Sequence, residues 1–148
     1  MKRILYLCTG NACRSQMAEY WTRALSDPRR VQVESAGTKP IGVHPLTRSV
    51  MEEVGISMSD AHSKAMDPDH FDRWDLVITL CGDARESCPL LPPGVTRKHW
   101  PLPDPARASG TKEDILRAFR EVRETIRVHV VELLREWCLY SLYSNHID

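Results

Sequence analysis

The chain has no surplus of either charge: 20 Lys and Arg residues stand against 20 Asp and Glu residues, a formal net charge of zero. That balance gives no expectation of a nucleic-acid partner or of an anionic membrane surface. Any anion the protein holds must be held by local geometry. Long hydrophobic runs are missing too. The apolar stretch in "MKRILYLCTGN" is too short for a signal-peptide core, and no segment approaches a bilayer span. The expected location is the cytoplasm, where thiols stay reduced. Five cysteines, an odd number, then suit catalysis or redox work better than a disulfide framework. Repeats, low-complexity tracts and interdomain linkers are also absent. Residues 1–148 are therefore expected to form a single catalytic domain. Its tail, "WCLYSLYSNHID" at about 137–148, is more apolar than a free end should be, so it is expected to fold back or to meet another subunit.

What is present alternates between two periodicities. "RILYL" (3–7) and "DLVITL" (75–80) are short apolar runs that read as buried strands, "VQVES" (31–35) alternates as a strand, and "RKHW" (97–100) reads as a short edge strand. Between them, "SQMAEYWTRAL" from Ser15 has helical spacing with Ser15 as N-cap, and Pro28 stops it. A second helix is expected from Pro45 to Gly55. A long one carries Ile115, Phe119, Val122, Ile126, Val130, Leu133, Leu134 and Trp137. Such alternation indicates an α/β fold with a parallel sheet, whose ligands bind beyond the carboxyl ends of its strands. Cys8, Cys81 and Asp104 all lie at or after expected strand ends, so they can share one mouth.

The stretch "CTGNACRS" (8–15) places a cysteine between a strand and a helix N-terminus. Unpaired amides and the macrodipole favour a thiolate there, Arg14 adds a positive charge, and the Ser15 hydroxyl can donate to sulfur. Five residues between Cys8 and Arg14 let the N–H groups of Thr9, Gly10, Asn11, Ala12 and Cys13 curl inward as an anion nest. Gly10 and Asn11 are types that accept left-handed backbone. Arg14 can grip two oxygens of a tetrahedral anion. There is no Walker lysine for nucleotide phosphates. Cys13 is expected to be filler, pointing away from the cradle.

A second pair, Cys81 and Cys88, stands seven residues apart. Two helical turns would hold the Cα atoms about 10 Å apart, beyond the disulfide limit of about 7 Å. A bond between them requires the intervening segment to unwind, and Gly82 and Pro89 make a stable helix unexpected there. Unrelated core cysteines, or zinc with His99, are the alternatives, and the six histidines form no metal-like spacing. Asp104 in "PDPAR" can act, protonated, as an acid toward a departing oxygen; alone it would read as a turn aspartate.

"LCTGNACRSQMAE" resembles the phosphate-binding loop of the low-molecular-weight tyrosine phosphatase fold, and more narrowly the thioredoxin-coupled arsenate reductases of that fold. Gln16, "SAG" at 35–37 and "DPA" at 104–106 belong to the same resemblance, which covers about residues 2–135. It implies a four-stranded parallel sheet flanked by helices. It implies attack of Cys8 on arsenate, then of Cys81 on Cys8 with arsenite release, then of Cys88 on Cys81, with thioredoxin as external reductant and no tightly bound cofactor. Asn11, Glu19 and Ser35 match positions that hold potassium in some relatives. Lys64 stands where an acidic ligand would, so its ammonium is expected to replace the ion and leave no metal. Two other readings remain: a phosphatase for aryl phosphate monoesters, against which "DPAR" lacks neighbouring aromatics, and a non-catalytic oxyanion or arsenic sensor.

Overall fold

The structure, a computed structural model, describes residues 1–88 and 90–141, except the side chains of Asp83 and Ser87. Four strands, β1 (Lys2–Cys8), β2 (Val31–Gly37), β3 (Leu76–Thr79) and β4 (Thr96–His99), form one parallel sheet in the order β2-β1-β3-β4. The helices are α1 (Arg14–Ala24), α2 (Pro45–Glu52), α3 (Gly82–Ser87) and α4 (Lys112–Glu136), with 3₁₀ turns at Pro68–Arg73 and Pro105–Arg107.

Chemistry sorts the strands. β3 is buried at every position and β1 at its last five, so both read as continuous apolar runs in the middle of the sheet. β2 alternates buried and half-buried residues, and β4 is polar and partly exposed, as edges tolerate. α4 starts with a capping box in which Thr111 and Asp114 satisfy each other's backbone N–H groups. It buries Phe119, Val122, Ile126, Val130, Leu133 and Leu134 along one stripe. Each such side chain contributes about 1.5–3 kcal/mol of burial. α1, α2 and α4 pack on one another, and α1 also covers β1 and β2.

The expected fold class holds, with two local differences, and the tail begins as one of its two expectations had it. Ser15 is not the N-cap of α1. Cys13 occupies that place without a side-chain cap, and the Ser15 hydroxyl is turned to sulfur instead. Residues 82–87 do form a helix, capped by the Cys81 sulfur, which accepts from Ala84 N at 3.4 Å. Gly82 sits at its first position, where its lack of helix propensity costs least, and Cys88 ends it. The start of the tail folds back: Leu139 is buried, Tyr140 bridges Ser26, and Ser141 N donates to Leu25 O at 2.9 Å. Residues 142–148 lie outside the described residues. Among the described residues, no helix is long and apolar enough to cross a membrane.

Candidate active site

In the strand order β2-β1-β3-β4, connections leave β1 and β3 in opposite directions, so a crevice opens between their carboxyl ends. Leu7 pairs with Thr79, which brings the residues that follow, Cys8 on one strand and Cys81 beyond the other, to the same rim. One cleft of about 520 Å³ is lined by Cys8, Cys81, Arg14 and Asp104, with Thr9, Gly10, Ala12 and Cys13 in its floor. The expected shared mouth is there.

The loop after β1 is held from outside by its carbonyls. Cys8 O accepts from Thr38 N, Thr9 O from Lys39 N at 2.8 Å, Gly10 O from Ile41 N at 3.0 Å, and Ala12 O from His44 N at 3.1 Å and Thr47 Oγ1 at 3.0 Å. Asn11 O accepts from Ser63 Oγ at 2.8 Å and Gln16 Nε2 at 3.2 Å. With every carbonyl from 8 to 12 turned outward, the amides of Thr9–Cys13 face the other way. None of them meets a protein acceptor among the described residues. That is the nest an oxyanion needs. Only Asn11 takes left-handed backbone, at φ 48°; Gly10, expected to share that role, does not.

Behind the loop runs a polar chain whose directions can be assigned. The backbone N–H of Lys64 donates to Asn11 Oδ1 at 2.9 Å, which fixes the amide orientation. Asn11 Nδ2 then donates to Ser15 Oγ at 2.8 Å and to Ser35 Oγ at 2.9 Å. Ser15 Oγ accepts there and keeps its own hydrogen, which is the donor to Cys8 Sγ, 2.7 Å away, once Cys8 is a thiolate. Ser35 likewise donates to Glu19 Oε1 at 2.5 Å. Glu19 is buried and pairs with Arg23 and with Lys64 Nζ at 3.5 Å. The expected pairing of Lys64 with Glu19 is thus present.

On the other side, Thr9 Oγ1 lies 3.2 Å from Cys81 Sγ. Arg14 Nη1 donates to Leu102 O at 3.0 Å, its Nη2 is 3.8 Å from Asp104 Oδ2, and its buried Nε has no partner among the described residues. Asp104 accepts from Ala106 N at 3.0 Å, so the proline-flanked turn aims it at the arginine. Cys13 is among the residues lining the cleft, and its thiol is almost fully buried beside Thr47. Burial pushes its thiol up to about 11, so it stays protonated and unreactive at neutral pH. Cys88 is not in the cleft. It ends α3 next to β4. Lys39, Ile41, His44 and Arg107 also line the cleft, and Gln16 ties the loop to His62 O at 3.0 Å. Sequence reasoning did not assign these contacts, because only the fold brings segments 38–47 and 61–64 against the loop.

The low molecular weight phosphotyrosine protein phosphatase family matches residues 3–139. The chain belongs to that family. Within it, the chain is 48% identical over 126 residues to an arsenate reductase of Bacillus subtilis, covering 84% of this chain and 89% of that one. Among solved structures, an arsenate reductase in the phosphate binding state superposes with a TM-score of 0.75 at 34% identity, covering 92% and 98% of the two chains. A thioredoxin-dependent arsenate reductase of Corynebacterium glutamicum gives 0.72 at 31% identity, covering 92% of this chain and 61% of that one.

Proposed function

We propose that this phosphatase-family chain, acting as one catalytic domain, reduces arsenate to arsenite by a three-cysteine relay. The observation that carries the reading is the presence of a second sulfur, Cys81, on the rim of the cleft that holds Cys8. A phosphatase has no use for it. In the first step the Cys8 thiolate bonds arsenic, with Asp104 protonating the oxygen that departs as water. Arg14 and the inward amides of residues 9–13 hold the remaining oxygens, and the orphan Arg14 Nε–H is a donor such an anion would satisfy. Next the Cys81 sulfur attacks Cys8. The S–S bond forms, the S–As bond breaks, and its electron pair stays on arsenic, which leaves as arsenite. Cys88 then attacks Cys81, freeing Cys8, and thioredoxin as external dithiol reduces the Cys81–Cys88 disulfide. No tightly bound cofactor enters this cycle, and its dependence on reduced thiols fits the cytoplasm.

The cleft lining contains no Trp, Tyr or Phe among the described residues. That favours a small oxyanion over an aryl ester, with weak phosphatase action as a side reaction. Arsenate-dependent NADPH oxidation with thioredoxin and its reductase tests the reading. Wild type should turn over many times, whereas Cys88→Ser should release one arsenite per chain and stop. Sustained turnover by Cys88→Ser would refute the relay, and phosphate release from aryl esters without arsenate reduction would favour the phosphatase.

A further inference from the structure

Cys81 and Cys88 stand at opposite ends of one short helix, and their surroundings differ accordingly. Cys81 Sγ accepts a backbone N–H at the start of α3. Cys88 lies at the carbonyl end, where backbone dipoles oppose a negative sulfur. It is also only 7% exposed. Burial pushes its thiol up, which is unfavourable for a group whose proposed role is to attack as a thiolate. The counterweight comes from the neighbouring strand. Arg97, on the exposed edge strand β4, places Nη2 3.4 Å from Cys88 Sγ and 3.5 Å from Cys88 O. Its cation pulls the thiol back down.

We infer that Arg97 is a positioning residue for the second thiol exchange, holding Cys88 against β4 and stabilising the charge on its sulfur until it attacks Cys81. The inference rests on the relay reading. The step itself is balanced: the Cys88 thiolate forms the S–S bond to Cys81, the Cys8–Cys81 bond breaks, and Cys8 leaves as thiolate with both electrons of that bond. Arg97 does not touch the first exchange. Its side of α3 faces β4, whereas Cys81 faces Thr9.

The contact has a magnitude. The Arg97 cation favours the thiolate, and solvent screening at an exposed arginine keeps that effect modest. Losing the cation lowers the thiolate fraction, while the more basic thiolate that remains is a better nucleophile and offsets part of that loss, so removal of Arg97 leaves a net slowing of roughly threefold.

Iodoacetamide alkylation of the reduced full-length chain, followed across pH by peptide mass spectrometry, reads Cys88 directly. Trypsin cuts at Arg85 and so separates Cys88 from Cys81. Arg97→Met should raise the apparent pKa of Cys88, and Arg97→Lys should hold it near wild type. In quenched-flow single turnovers, Arg97→Met should slow the exchange from Cys8–Cys81 to Cys81–Cys88 roughly threefold at pH 7 and leave Cys8–Cys81 formation unchanged. An alkylation profile identical in all three proteins overturns the inference, as does an equal rise in the Met and Lys variants. The alkylation arm needs no arsenate, so failure of arsenate reduction and failure of Arg97 are told apart.

Discussion

The Asn11 amide donates to the Ser15 hydroxyl, whose own hydrogen remains to donate to a Cys8 thiolate. Hydrogen bonds to a charged acceptor contribute about 1.5–3 kcal/mol. Ser15→Ala should therefore slow the first-turnover release of arsenite by about 10- to 100-fold, read in a rapid-quench experiment without thioredoxin. Glu19 carries a second residue-level prediction. Its carboxylate is buried, and Lys64 Nζ already lies at 3.5 Å. Wild-type turnover should be the same in KCl and NaCl at matched ionic strength, and a gain in potassium of more than about twofold would refute the replacement. Lys64→Met should lower stability by about 1–3 kcal/mol, read by denaturant unfolding, because among the described residues Glu19 then keeps Arg23 and Ser35 alone. These roles differ in how legible they were. Cys8, Arg14 and Asp104 stand out because their types and spacing are chemical. Ser15 looks like an N-cap until the Asn11 amide is placed.

Strands and long helices were readable from pattern alone, since β3 and the last five residues of β1 are buried runs and α4 carries one unbroken stripe. The short helix α3 was not, because Gly82 and Pro89 argue against it locally while the Cys81 cap and its packing on β1 and β3 supply what propensity lacks. The close approach of β2 to the oxyanion loop was legible only as the string "SAG". In the fold, Gly37 sits beside Cys8, and a Cβ there would lie 2.6 Å from Thr9 O. That carbonyl belongs to backbone, so it cannot swing away without moving the loop's amides. Gly37→Ala should cost about 1–3 kcal/mol and lower Tm by roughly 2–10 °C in a calorimetric scan. It should also depress kcat/KM at least tenfold at a temperature where the variant is folded, because misplacing the nest by a fraction of an ångström weakens every amide contact to the anion (about 1.4 kcal/mol per tenfold). Full activity in a folded Gly37→Ala protein would show that the loop does not depend on this contact.

Across the whole molecule, the relay helix α3 joins the apolar core through one short face, Cys81, Ala84 and Cys88. Ile4, Tyr6, Leu7, Leu76, Ile78, Phe119, Ile126 and Val130 are buried in the sheet and under α4. The relay helix packs on β1 and β3, and its two ends are held by Thr9 against Cys81 and Arg97 against Cys88. Closing Cys81 onto Cys88 requires the helix to give up Arg85 N to Cys81 O and Cys88 N to Ala84 O, because an intact helix holds the two Cα atoms about 10 Å apart. Hydrogen exchange of the chain carrying the Cys81–Cys88 disulfide should therefore show lost protection in peptides spanning 82–88, relative to the reduced chain. β1, β3 and α4 should exchange as slowly as before. The cost is confined to a few backbone hydrogen bonds at a rim, each of about 1 kcal/mol net, well within what a thiol–disulfide exchange with an external dithiol can offset. Equal protection of 82–88 in both redox states would mean the helix stays wound, and a wound helix cannot bring Cys88 within bonding distance of Cys81.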